Sequence, residues 1–169
     1  VITAPYLIDE LFSIHSEKLS DYVNLLPVKP WYRFLFENGE YLDYGDKLST
    51  TVREIKSKYG YENARSYIKL LKHSKRIFNK AFMELSDEPF ESLGSMVKHL
   101  PELIRIRFDR SVYQAVDKHI GNKNLNQALS MHPLLVGGNP YSTTSIYLLI
   151  QYLEWKWGVF YAEGGTGKI

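Results

Sequence analysis

The chain has no cysteine among its 169 residues. Disulfides and thiolate metal sites are therefore excluded, although this absence fits reducing and oxidising compartments equally. Histidine is also sparse, and no two histidines have the spacing of metal ligands on a helix. Metal catalysis thus has no support from the five that are present, His15, His73, His99, His119 and His132.

A strong net charge is also lacking. The formal charge is +2, and the 21 lysines and arginines are mixed evenly with 19 aspartates and glutamates. A nucleic-acid-binding domain would concentrate positive charge, so nucleic acid is not expected as a partner. Hydrolase chemistry has no support either, because Ser142 and Ser145 have no matching base or nucleophile elbow.

An unbroken apolar span is missing too. The uncharged residues 124–153 number about thirty, which would suffice to cross a bilayer. Pro133, Gly137, Gly138 and Pro140 interrupt this run together with several hydroxyl residues. We therefore predict no transmembrane helix there.

Apolar and aromatic residues are plentiful instead. Hydrophobic residues make up 44% of the chain and aromatic residues 14%, with 13 tyrosines. This length and composition fit one domain, 1–169, with its own core. The aromatic content suits either an aromatic core or a domain that binds a large apolar ligand.

Helix signals dominate the order of elements. Apolar periodicity and capping residues predict helices at 5–16, 19–25, 49–58, 61–85, 92–108 and 111–120, and another that begins at Asn122 or Asn124. Gly60 separates the third and fourth helices. The helix at 61–85 has a basic face, which either is solvated or docks on anionic lipid head groups.

Two β-prone runs, 31–36 and 41–44, flank Asn38-Gly39 and predict a β-hairpin near 31–44. Its faces both carry large side chains, so the sheet either packs between helices or lines a cavity. A further strand is predicted near 157–161. The fold class is therefore α+β and mostly helical.

Residues 127–168 organise the C-terminal quarter. Gly137-Gly138-Asn139-Pro140 should end one helix, and the hydroxyl residues 142–145 can cap the next. That next helix is apolar almost all round apart from Gln151, so it should be buried or covered by a partner or lipid. The turn Gly164-Gly165-Thr166-Gly167 lacks the full phosphate-loop pattern.

The stretch HPLLVGGNPYSTTSIYLLIQYLEWKWGVFYAEGGTGK, residues 132–168, closely resembles the bacterial-type phytoene desaturases. These are FAD-dependent carotenoid desaturases with an amine-oxidase-like fold. The resemblance extends upstream through LPVKPWYR at 26–33 to the opening Val1-Ile2-Thr3, and so covers nearly the whole chain.

In that family a dinucleotide-binding Gly-x-Gly-x-x-Gly precedes the first residue here, and more of the flavin domain follows Gly167. The resemblance therefore implies an excised internal fragment, the substrate-side domain without its flanking Rossmann-like FAD-binding segments. We expect such a fragment to be catalytically inactive by itself.

The resemblance also implies hydride transfer to FAD from a C30 or C40 polyene such as phytoene, which introduces conjugated double bonds. It makes Gly164, Gly165, Thr166 and Gly167 candidates to face the flavin, where a plain glycine connector is the alternative. Candidates to line a substrate channel are Trp31, Phe34, Leu134, Leu135, Gly137, Gly138, Asn139, Tyr141, Phe160 and Tyr161.

No catalytic acid or base is assigned. His132 is the one histidine in the resembling motif, and either accepts a proton or hydrogen-bonds a backbone carbonyl. The second glycine of the 137–138 pair indicates close packing against a ligand or a helix.

A polyene substrate resides in the bilayer, so the resemblance implies a peripheral protein on the cytoplasmic side of the membrane. The helix at 92–108 sets cations beside a broad apolar face, as an interfacial helix does, although ordinary surface packing gives the same pattern. Its candidates for membrane contact are Met96, Lys98, Leu100, Leu103, Arg105 and Arg107.

Two other functions are compatible with these residues. One is a non-enzymatic helical module that binds membrane or an apolar ligand. The other is a polyene isomerase or a different oxidoreductase of the same flavoprotein fold.

Overall fold

The computed structural model describes residues 1–84 and 109–169. Within these ranges the protein is mostly helical and contains two small antiparallel sheets, which confirms the predicted α+β class. The chain divides into two compact units. The first comprises Val1–Thr51 with Leu153–Ile169, and the second comprises Val52–Tyr152.

The first unit brings the two ends of the chain together. Helix α1 (Pro5–Ile14) and a 3-10 turn (Leu19–Asp21) lead into strand β1 (Leu25–Pro27). This strand pairs antiparallel with the last strand of the chain, β4 (Phe160–Ala162). A small core beneath the sheet contains Leu19, Val23 and Ala162.

Two sequence predictions in this unit are wrong in their bounds. The helix expected at 19–25 is only a single 3-10 turn, because Pro27 disfavours helical backbone at Leu26 and the chain pairs with β4 instead. The strand expected at 157–161 lies at Phe160–Ala162. Trp157 still belongs to the preceding helix, and Gly158 (φ +86°) makes the turn between the two elements.

The predicted hairpin is confirmed as strands β2 (Tyr32–Leu35) and β3 (Tyr41–Tyr44), with Tyr32 opposite Tyr44. Its inner face carries Phe34 and the buried Leu42. Its outer face carries an ion pair between Arg33 and Asp43, and Leu35 is 77% exposed. The expectation of a sheet packed between helices is therefore wrong among the described residues, since β2 alternates between a packed and an exposed face.

An aromatic cluster fills the space behind the hairpin. The Trp31 ring lies 4.5 Å from the Trp155 ring and 6.1 Å from the Tyr44 ring. A Cβ atom on Gly45 would lie 2.3 Å from the Trp31 ring, so the backbone passes directly against it. Trp155 Nε1 donates a hydrogen bond to the Tyr44 hydroxyl at 3.1 Å. An aromatic core thus accounts for part of the high aromatic content.

A buried carboxylate lies beside this cluster. Glu154 is fully buried, and the Tyr32 hydroxyl donates to its Oε1 at 2.7 Å. Desolvation, followed by the charge of Glu154 and this hydrogen bond, raises the pKa of Tyr32 above the usual range of tyrosine. The phenol therefore stays protonated and keeps donating to the carboxylate.

The second unit is helical in all its described elements. Most of helix α2 (Leu48–Ile77) belongs to it, followed by a π-helical turn (Phe78–Glu84). Helices α3 (Val112–Asp117) and α4 (Lys123–Leu129) come next. Ser111 caps α3 in a capping box with Gln114, and Asn122 caps α4, which confirms both predicted starts.

The core of this unit contains the apolar stripe predicted for residues 61–85. Tyr67, Ile77 and Phe78 of that stripe are at most 1% exposed, and residues from α3, α4 and the following turns pack in the same core. Leu85, the predicted end of that helix, lies outside the described residues. The other fully buried members of the core include Leu70, Val112, Val116, Leu125, Leu129 and Leu148.

A 3-10 turn (Ser145–Leu148) leads into helix α5 (Leu149–Trp157), and the Thr144 hydroxyl accepts from the backbone amide of Ile146. The predicted hydroxyl cap is thereby confirmed. Gln151, the polar residue of this helix, is fully buried and does not face solvent. Its Oε1 accepts a hydrogen bond from the Ser74 hydroxyl at 2.9 Å. This bond satisfies the oxygen of the buried amide, whereas Nε2 has no hydrogen-bond partner among the described residues, and an unpaired buried group costs about 1–3 kcal/mol.

None of the helices in the described ranges combines the length and the hydropathy that a membrane span requires.

Replacing Tyr32 by Phe should lower the free energy of unfolding by about 1–2 kcal/mol, because it removes a donor from a buried carboxylate. The loss should shrink above about pH 10, where unfolded tyrosine ionises but folded Tyr32 does not, so the stability that the hydroxyl contributes falls as the pH rises. Urea unfolding between neutral and alkaline pH measures both effects. Tyr22→Phe is the control, because the exposed Tyr22 also hydrogen-bonds a carboxylate, that of Glu17, and should show no measurable change.

Replacing Gly60 by Ala should lower the free energy of unfolding by about 1–3 kcal/mol. Gly60 breaks α2 at φ +87° and ψ 167°, a conformation that a residue with a Cβ atom rarely adopts, although no atom lies within 4 Å of the Cβ position. Gly121→Ala is the matched control, because its Cβ position is equally open and its φ is not in the left-handed region. Thermal unfolding of both variants tests this, and equal midpoints would show that the backbone angle at Gly60 carries no strain.

Candidate functional site

A cavity of about 500 Å³ opens in the second unit beside the glycine turn that follows α4. Its wall is formed by α3, α4 and the turn, and several of its residues lie within the stretch 132–168. The residues that line it are Tyr113, Gln127, Ser130, Met131, Leu134, Gly137, Gly138, Asn139, Pro140 and Tyr141.

The turn at the cavity is fixed by its own backbone. A 3-10 turn (His132–Val136) ends at Gly137, whose φ of +75° confirms the predicted use of glycine to stop the helix. The Gly138 amide donates to the Pro133 carbonyl at 2.8 Å. Asn139 then closes the turn, because its Oδ1 accepts from the Tyr141 amide and its carbonyl accepts from the Thr143 amide.

The second glycine has a steric cause. A Cβ atom at Gly138 would lie 2.7 Å from Thr143 Oγ1 and 3.3 Å from both Cβ and the carbonyl oxygen of Pro133. The sequence indicated close packing against a ligand or a helix. The neighbours in the structure are instead other residues of the same turn, so the glycine pair needs no ligand to explain it.

Ser130, beside the cavity, directs its hydroxyl into the protein. The hydroxyl donates to Asn126 Oδ1 at 3.1 Å, and Asn126 Nδ2 donates to Asp117 at 2.7 Å. Asn139 is exposed, and its Oδ1 accepts from the Tyr141 amide within the turn. The amides that the lining can offer a ligand are therefore Gln127 and Asn139 Nδ2.

The surface left for a ligand is apolar and aromatic. Tyr113 and Tyr141 pack with ring centroids 4.5 Å apart, and Leu134 is 62% exposed beside them. Desolvation, with smaller contributions from Tyr141 and Asp117, raises the pKa of Tyr113. The Tyr113 phenol is therefore neutral at physiological pH and presents no charge to the cavity.

The structure brings five of the predicted channel residues to this cavity and leaves the rest elsewhere. Leu135 is 42% exposed but does not line the cavity, and His132 is buried behind it. Trp31 belongs to the aromatic cluster of the first unit, where Phe34, Phe160 and Tyr161 also lie. The five residues at the cavity are Leu134, Gly137, Gly138, Asn139 and Tyr141.

Sequence reasoning missed the other five lining residues, which are Tyr113, Gln127, Ser130, Met131 and Pro140. Tyr113 comes from α3, and its position is fixed by its amide, which donates to the Pro140 carbonyl at 3.0 Å. No local pattern announces that contact, because it joins residues that are distant in sequence. The one local signal for a cavity residue was the place of Tyr113 in the first turn of a helix that Ser111 caps.

The predicted flavin-facing turn lies in the first unit. Asn24 Nδ2 donates to the Glu163 carboxylate at 3.1 Å and so ties the turn to the segment before β1. Gly165, at φ +93°, and Gly167 have no atom within 4 Å of the Cβ position, whereas Gly164 lies against the Lys168 side chain. The backbone at Gly165 and Gly167 is thus open to close approach, and Thr166 begins the last 3-10 turn (Thr166–Lys168).

The candidates for membrane contact, Met96 to Arg107, lie outside the described residues. Among residues 1–84 and 109–169, no group of three or more histidine or acidic side chains is placed to hold a metal ion.

Comparison with known proteins identifies relatives along the whole chain, although no protein-family model matches it. It is 40% identical over 169 residues to a lycopene-forming phytoene desaturase from Pseudescherichia vulneris, and 39% identical to one from Pantoea ananas. It is 25% identical over 167 residues to 4,4'-diaponeurosporene oxygenase from Staphylococcus aureus. In each case all or nearly all of this chain is covered, but only 34% of the relative. The resemblance seen in the sequence is thus confirmed. The chain is homologous over its full length to the bacterial phytoene desaturases, and it spans about one third of the length of these relatives.

Proposed function

We propose that this chain is the substrate-binding part of a carotenoid desaturase, a phytoene dehydrogenase that introduces conjugated double bonds into a C30 or C40 polyene. The observation that carries the proposal is the apolar cavity at the glycine turn, which lies within the most recognisable stretch of the sequence. Its homology to lycopene-forming and neurosporene-forming phytoene desaturases supports the reaction class.

The cavity matches what a hydrocarbon requires. A polyene has no polar groups, so its recognition depends on shape and on apolar contact. The cavity volume of about 500 Å³ falls within the usual range for ligand sites, roughly 300–1,000 Å³. The hydrogen bonds of the Ser130 hydroxyl and of Asn139 Oδ1 mean that a hydrocarbon would not leave these two oxygens without partners.

The oxidation requires a cofactor that this chain does not hold by itself. FAD, when bound in the longer protein, accepts the hydride that leaves the polyene. The contribution of this chain is an open backbone at Gly165 and Gly167 that lets the ring system approach. Because the sequence has no dinucleotide-binding fingerprint, we expect the isolated chain to be inactive.

The proposed substrate resides in a bilayer, so the protein should act as a peripheral membrane protein on the cytoplasmic side. The segment with Met96, Lys98, Leu100, Leu103, Arg105 and Arg107 combines cations with apolar residues, the composition that an interfacial helix uses.

The direct test is an anaerobic incubation of the full-length protein with FAD and phytoene in liposomes. Bleaching of the flavin together with new polyene absorbance supports the proposal. Flavin binding without polyene formation would reject the substrate, and no flavin binding at all would favour a non-enzymatic module that binds an apolar ligand.

A variant pair tests the cavity itself. Leu134→Asp places a charge on the apolar wall, so kcat/KM for phytoene should fall by about tenfold or more, which corresponds to roughly 1.4 kcal/mol or more. Leu135→Asp is the matched control, because this neighbour is also exposed but does not line the cavity, and its kcat/KM should stay within about twofold. An equal loss in both variants would argue against the cavity as the substrate site.

A second candidate is an oxidoreductase of the same fold that acts on another polyene. The similarity to the Staphylococcus aureus 4,4'-diaponeurosporene oxygenase supports this second candidate. Product analysis separates the two, because a desaturase lengthens the conjugated system without adding oxygen and an oxygenase adds oxygen to the product.

A further inference from the structure

The second half of α2 carries positive charges that no acidic residue in the same segment balances. No aspartate or glutamate occurs between residues 63 and 83, whereas six lysines and arginines fall between 65 and 80. Lys69, His73 and Arg76 follow one another at intervals of four and three, so they lie on one face of the helix.

The segment after α3 adds to this face. The imidazole rings of His73 and His119 are 6.0 Å apart at an interplanar angle of 37°. Lys118 precedes His119 in the chain, and its charge lowers the pKa of both His73 and His119. We call these five side chains, Lys69, His73, Arg76, Lys118 and His119, the cationic patch.

The permanent charges of the cationic patch are unpaired in the part of the chain that the structure describes. The three ion pairs found there join Lys29 to Asp46, Arg33 to Asp43 and Lys58 to Glu54, and none includes a member of the patch. Lysines and arginines held together without carboxylates attract anions, and phosphates accept both charge and hydrogen bonds from them.

The two histidines make the charge of the cationic patch depend on pH. Desolvation lowers the pKa of His73, and the charges of His119, Arg76 and Lys118 lower it further. Desolvation likewise lowers the pKa of His119, with Lys118 and Lys69 adding to the effect. Both rings are therefore neutral at pH 7, and their protonation below the ordinary pKa of histidine adds positive charge to the three permanent charges.

We propose that the cationic patch binds the phosphates of an anionic bilayer surface, and that this binding strengthens as the pH falls. The choice of a bilayer rests on the proposed function, because a hydrocarbon substrate must be taken from a membrane. A phosphate beside the rings would offset the repulsion from the lysines and arginine, so protonation and binding favour each other.

Binding of the full-length protein to sedimented vesicles tests the patch. Vesicles of phosphatidylglycerol with phosphatidylcholine should retain the protein, and those of phosphatidylcholine alone should retain much less. The triple variant Lys69→Gln, Arg76→Gln, Lys118→Gln should lower the partition coefficient by about tenfold or more. A control with Lys18→Gln, Lys47→Gln and Arg53→Gln removes the same charge from exposed sites elsewhere and should stay within about threefold of the wild type.

A separate variant tests the pH dependence of vesicle binding. Between about pH 7.5 and about pH 4.5, a range that extends below the ordinary pKa of histidine, the wild-type partition coefficient should rise by about threefold or more. The double variant His73→Gln, His119→Gln should match the wild type at the higher pH and lose this rise. Phosphatidylglycerol carries a phosphodiester that does not titrate in this range, so the rise would belong to the protein.

Two results would overturn the assignment. They are equal losses in the triple variant and its control, and a rise in acid that persists without the two histidines. Desaturation of phytoene in neutral detergent micelles separates this proposal from the previous one. Vesicle binding through the patch without any desaturation would support the patch and reject the desaturase function.

Discussion

The structure depends on hydrogen bonds to polar side chains that helix α5 buries, because a buried polar group that loses its partner costs more than most contacts return. In the second unit Gln151 Oε1 accepts from Ser74, although Gln151 Nε2 has no hydrogen-bond partner among the described residues. In the first unit the Glu154 carboxylate accepts from Tyr32 while Trp155 donates to Tyr44. Helix α5 therefore combines apolar burial with polar contacts in each unit.

Internal hydrogen bonds also shape the cavity. Ser130 is buried and donates to Asn126, and the Oδ1 of the exposed Asn139 accepts from the Tyr141 amide within the turn. The apolar character of the lining therefore arises partly from polar groups that are satisfied by the protein itself. The turn at Gly137 and Gly138 holds this arrangement, because its hydrogen bonds are almost entirely within the backbone.

The features that the sequence predicted are those encoded locally. Asn38-Gly39 predicts the hairpin, Gly60 the break in α2, and Ser111 and Asn122 two helix starts, since each depends on residues within one turn. Pairing of β1 with β4 was missed because it joins opposite ends of the chain. Tyr113 was missed as a cavity residue for the same reason, and the partners of Gln151 and Glu154 are likewise distant in sequence.

The close approach of Gly138 to Thr143 makes the side chains that these two positions can hold depend on each other. Their side-chain volumes compete for one space, since a methyl group at 138 would reach to 2.7 Å from Thr143 Oγ1. A smaller residue at position 143 would remove the closest of the contacts that a Cβ atom at 138 makes, while those with Pro133 at 3.3 Å would remain. Substitutions at 138 and 143 should therefore be non-additive in their effect on stability, so this part of the cavity wall is a coupled pair of positions.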